Sequence, residues 1–80
     1  MNPAEALSLV RWHARKEGLK VRQLPGRGKG SHQIYALEDS DGKEAARFGL
    51  TGHRRDLSRH VLEQLEERLA PLFGERWTER

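Results

Sequence analysis

The stretch Gly26-Arg27-Gly28-Lys29-Gly30-Ser31-His32 gathers the residues of this 80-residue chain best suited to chemistry. Glycine at alternate positions clears side chains away, so that backbone amides can approach phosphate oxygens, and Arg27 and Lys29 between them supply positive charge. Arg27, Gly28, Lys29, Gly30 and Ser31 are thereby a candidate phosphate cradle. His32 follows directly, and imidazole is the side chain that gives and takes a proton near neutral pH. Proton transfer beside a bound phosphate is the chemistry this juxtaposition suggests. The segment is not a Walker loop, because Gly30 is followed by Ser31 rather than lysine and a strand pattern comes next. Nor is it a dinucleotide fingerprint, which needs a strand, loop and helix around it. Residue types alone also allow a plain connector and a histidine tethered to a backbone group.

Other polar groups offer less. Arg54, Arg55 and Arg59 suit either phosphate contact or solvation of a helix start. His53, Asp56 and His60 stand at i, i+3 and i+7, a spacing able to face a divalent ion. With no further ligand evident, they read instead as a solvated helix start with Asp56 as its N-cap. Asp39 and Asp41 belong to a turn and are given no catalytic part. There is no cysteine, which removes disulfides and thiolate chemistry together. No metal or cofactor is expected.

Charge is regional. The net +3 resolves into −1 over residues 1–10, +6 over 11–35, −3 over 36–45, +3 over 46–62 and −2 over 63–80. Two positive blocks, one reaching the glycine loop and one preceding the last helix, would form one anion-binding surface if the fold brought them together. With 35% hydrophobic and 34% charged residues and a mean hydropathy of −0.88, the chain reads as one small soluble domain over 1–80, with a core over 3–72 and a tail over 73–80. Its apolar runs are far too short for a membrane span, and no secretion signal is evident, so a cytoplasmic protein without membrane contact is expected.

The positioning elements follow from pattern. Asn2, Pro3 and Glu5 supply a cap, a first-turn proline and a capping-box acid, with Leu7, Val10 and Ala14 as the apolar stripe and Gly18 as the stop. That spacing predicts a helix over 3–17. Leu19–Leu24 alternates as a short strand ending at Pro25. Ser31–Glu38 and Lys43–Leu50 are strands joined by the turn Asp39-Ser40-Asp41-Gly42, hence a hairpin. Within the second strand His32, Ile34 and Ala36 share one face and Ser31, Gln33, Tyr35 and Leu37 the other; periodicity does not decide which is core. Leu57, Val61, Leu65, Leu69 and Leu72, widened by Leu62, form the seam of a long last helix that Ala70-Pro71 should break or kink. Trp12 is assigned to core packing. The order helix, strand, strand, strand, helix predicts an α+β two-layer sandwich, a three-stranded antiparallel sheet with both helices on one face and the other face open.

Gly30-Ser31-His32, followed by an aromatic at Tyr35 after a first helix and strand, resembles the Gly-Ser-His signature of HicA-type mRNA interferase toxins. Arg54-Arg55-Asp56-Leu57 before an apolar-seamed helix is similar to that family's basic-basic-acidic-Leu segment. The resemblance spans residues 3 to about 72, and the family's double-stranded-RNA-binding-like fold has the same element order. It departs at Gly52, where the family usually has histidine, and at His60-Val61, where it usually has Gly-Thr. The resemblance implies cleavage of mRNA by one histidine, matched here by His32, with Tyr35 facing inward and His32 on the open face. It further implies neutralisation by a HicB-like antitoxin. The alternative is a non-catalytic RNA-binding module of the same fold.

Overall fold

A computed structural model describes residues 1–25, 32–51 and 56–79. It has the order α1 (Pro3–Lys16), β1 (Lys20–Leu24), β2 (His32–Glu38), β3 (Glu44–Thr51), α2 (Arg59–Phe73) and a short 3-10 helix, η1 (Trp77–Glu79). The strands form one antiparallel sheet in the order β1-β2-β3. This is the α+β arrangement that the hydrophobic periodicity predicts.

The start of α1 is fixed by a capping box. The Asn2 side chain accepts from the Glu5 amide at 2.8 Å, and the Glu5 carboxylate accepts from the Asn2 amide at 2.9 Å. Its end is fixed by Gly18 at φ 71°, a backbone region that costs other residues strain. The Gly18 and Leu19 amides turn back onto the Arg15 and Ala14 carbonyls. The helix ends at Lys16 with Glu17 as its cap, and β1 begins at Lys20, one residue after the predicted Leu19.

The buried stripe of α1 is Ala6, Val10 and Ala14, with Leu7 only half-buried at its margin. The stripe predicted from Leu7, Val10 and Ala14 thus starts one residue earlier, at Ala6. The i, i+4, i+8 row of two alanines and a valine lets the helix approach the sheet closely. On the sheet, the inner face is built from Tyr35, Leu37, Phe48 and Leu50, each at most 4% exposed. Tyr35 and Phe48 are register partners with rings stacked 5.3 Å apart.

The hairpin turn is held by Asp39. Its carbonyl accepts from Gly42 at 3.0 Å, and its side-chain Oδ1 accepts from the Asp41 and Lys43 amides, both at 2.9 Å. Pairing passes from Leu37 opposite Ala46 to Glu38 opposite Glu44, so Ala45 is a bulge.

Three expectations about the C-terminal part are corrected. Leu57 is buried but lies before α2, its amide bonded to the Met1 carbonyl at 2.8 Å. Ser58, not Asp56, caps the helix by accepting from the Val61 amide. Pro71 does not break α2, which runs on to Phe73 and closes at Gly74. A proline near the end of a helix forfeits one hydrogen bond, but little helix remains beyond it to disrupt.

The third correction concerns the tail, which belongs to the core. Trp77 is 3% exposed, packs edge-on to Phe73 and His13, and donates its indole N–H to the Glu66 carbonyl at 2.9 Å. The His13 ring in turn meets the Trp77 carbonyl at 2.9 Å through Nε2, and Thr78 bonds the Glu66 carboxylate. One indole thereby ties α1 to α2.

Trp77→Ala removes that wedge and is expected to cost about 3–5 kcal/mol in urea unfolding. Arg59→Ala removes only an exposed i, i+4 pair with Glu63 and should change stability by about 0.5 kcal/mol or less. Equal effects of the two would show that the tail is not part of the core.

Candidate functional site

His32 is the first residue of β2 and is exposed. Because successive strand side chains alternate, burial of Tyr35 and Leu37 against the helices puts His32, Ile34 and Ala36 on the face that carries no helix. Register extends this face across the sheet. Leu24 and Gly49 flank Ile34, Arg22 and Arg47 flank Ala36, and Thr51 lies opposite His32. Among the described residues no helix lies over this face, and His32 stands exposed at one end of it, outside the leucine core.

The centre of this face is charge-neutral. Arg22 donates through Nε and Nη2 to the Glu38 carboxylate at 3.0 and 2.9 Å. Arg47 makes a two-point contact with Glu44 at 3.0 and 2.9 Å. Glu44 raises the Arg47 guanidinium above its ordinary value, first through the hydrogen bond and then through charge attraction. Sequence reading missed both pairs. Arg22 and Glu38 lie 16 residues apart, and only the register brings them together.

Of the other candidate site residues, Arg27, Gly28, Lys29, Gly30, Ser31, Arg54 and Arg55, like His53, lie outside the described residues. What is described is where their neighbours stand. His32 and Thr51, which adjoin the two basic segments in sequence, are register partners at the same end of the sheet. His60 is exposed in the first turn of α2 and Asp56 is exposed before it. Among the described residues no group of three metal-ligating side chains occurs. Trp12, expected in the core, is only half-buried, with the Lys16 ammonium 4.5 Å above its ring. Among the described residues no helix is long and apolar enough to cross a membrane.

The chain matches no model of a known protein family, no curated protein and no solved structure. What the site can do must be argued from its own geometry.

An exposed strand-end residue outside the core carries little of the fold. His32→Ala should move the free energy of unfolding by about 0.5 kcal/mol or less, by urea titration at neutral pH. A loss above about 2 kcal/mol would assign the histidine a structural job instead.

Proposed function

We propose that this protein is a metal-independent endoribonuclease of the HicA type, the toxin of a toxin–antitoxin pair, with His32 as its catalytic residue. The observation that carries the reading is the position of His32, exposed on the helix-free face and directly following the basic glycine sequence 26–31. Pairing of His32 with Thr51 adds to it, because both basic segments join the described sheet at that end.

In this reading the ribose 2′-oxygen attacks the adjacent phosphorus as its proton passes to the His32 imidazole. The bond to the 5′-oxygen breaks, and that oxygen takes a proton from water, leaving a 2′,3′-cyclic phosphate and a free 5′-hydroxyl. Arg27, Lys29 and loop amides offset the charge that accumulates on the phosphorane. A single acid–base group supplies a factor of about 10² to 10⁴, so turnover is slow, which suffices for a toxin acting on long transcripts. Phosphate contact by Arg54 and Arg55 would hold the strand. A HicB-like antitoxin would silence the enzyme by lying over the open face and His32. A protein acting on mRNA works in the cytoplasm.

The test is incubation of purified wild-type and His32→Ala proteins with a long RNA in EDTA. Wild type should cut and His32→Ala should cut about 10² to 10⁴ times more slowly. Replacing the scissile ribose by 2′-deoxyribose should abolish cutting. Undiminished cutting by His32→Ala rejects the assignment. Salt-sensitive binding without any cleavage identifies the non-catalytic RNA-binding module instead.

A further inference from the structure

Most arginines described in this molecule are occupied by its own acceptors. Arg22 meets Glu38, Arg47 meets Glu44, Arg59 meets Glu63 and Arg76 meets Glu79, while Arg68 donates to the Arg47 carbonyl. The second half of α1 and the start of β1 are different. Arg11, Arg15 and Lys20 are exposed and, among the described residues, none has a carboxylate at ion-pair distance. Glu38, which faces Lys20 across the ladder, is already held by Arg22. Arg11 and Arg15 line one groove of about 370 Å³ with Ala14, Leu19 and Val21 as its apolar floor, and Lys20 stands at its rim on the edge strand, its side chain turned by alternation to the helix-free face that also carries Arg22.

We propose that this groove and the β1 edge beside it are a second RNA contact, in which Arg11 and Arg15 in the groove and Lys20 on the other side of the edge strand grip backbone phosphates at the far end of the sheet from His32. Arg11 and Arg15 stand one helical turn apart on the same side of α1, so they present two cations in a row. An apolar strip edged by cations matches a polymer in which uncharged sugars alternate with phosphates, better than it matches a flat anionic lipid surface. Glu38, the partner of Lys20, is six positions along β2 from His32, which puts the groove roughly 20 Å along the sheet from the imidazole. An RNA must exceed that span to use both, so the groove sets a minimum length for efficient cutting. The identity of the occupant rests on the ribonuclease reading, whereas the cationic groove does not.

The experiment compares Arg11→Gln/Arg15→Gln/Lys20→Gln with a control of equal charge loss, Arg59→Gln/Arg68→Gln/Arg76→Gln. Binding of a single-stranded RNA of about 16 nucleotides is followed by anisotropy across a salt series, in the His32→Ala background so that the probe stays whole. Losing three phosphate contacts should flatten the slope of log affinity against log salt by about 2, while the control leaves it near the parent value. With His32 intact, the groove variant should cut the long RNA more slowly and a trinucleotide at the parental rate. An unchanged slope, or an equal change in the control, overturns the groove. So does loss of binding to phosphatidylserine-containing vesicles as large as the loss for RNA, which would make it a membrane contact. A flattened slope in a protein that never cuts RNA keeps the groove and rejects the nuclease. Cutting with an unchanged slope does the reverse.

Discussion

The period-two partition of β2 is the constraint on which the rest of this molecule depends. Tyr35 and Leu37 must face the helices, because their partners Phe48 and Ala46 and the α1 stripe complete one apolar layer there. Every other residue of the strand is thereby assigned outward, and His32 is placed on the helix-free face by burial that happens elsewhere. A one-residue slip of β2 against its neighbours would turn the imidazole inward and the tyrosine outward. The hairpin turn is what prevents the slip. Asp39 holds it with both its carbonyl and its side chain, and the Ala45 bulge absorbs the one residue by which β3 exceeds β2.

Small size explains how the two layers are closed. A domain of this length buries only about 60% of its unfolded surface, so each buried aromatic weighs heavily. Trp77 enters from the tail after Arg76 turns the chain through a positive φ of 56°, and it fills the gap that two helices on one sheet leave between them. Its indole N–H and backbone carbonyl both find partners, Glu66 and His13, so a large side chain enters the core without leaving a polar group unpaired. The same contacts use His13 as a structural histidine, in contrast with His32, which differs from it in burial and in having no core role.

The element order, the capping box and the hairpin were legible in the sequence because each rests on local pattern, whereas alternation left either face of β2 open as core and only the family resemblance pointed Tyr35 inward. What was not legible is tertiary. Ala6 outranks Leu7 in burial because close helix–sheet approach favours small side chains, which no hydrophobicity count reveals. Leu57 continues the leucine spacing of α2 yet lies outside the helix, because Ser58 provides the cap and the Leu57 amide finds the Met1 carbonyl instead. Trp77 in a polar tail was the one available signal that the tail is core: a lone tryptophan among charged residues seldom stays in water. Of the site, His32 could be singled out by its neighbours in sequence, whereas neutralisation of Arg22 needed the register and that of Arg47 the bulge at Ala45, which brings Glu44 to the same face.

Those two ion pairs bear on what the open face is for. Ala36 is fully buried although no helix covers it, and it sits between Arg22 and Arg47 across the ladder. Both arginines are tied to carboxylates, Arg22 to Glu38 and Arg47 to Glu44, beside this small side chain. Ile34 is likewise half-buried, packed toward the position where Gly49 lacks a side chain: a Cβ there would lie 3.1 Å from the isoleucine Cδ1. Among the described residues the helix-free face exposes no large hydrophobic side chain. Anything that lies on it would be recognised by its fit to neutralised arginine pairs and to the imidazole at the sheet's end, while a polyanion gains more where the cations are unpaired.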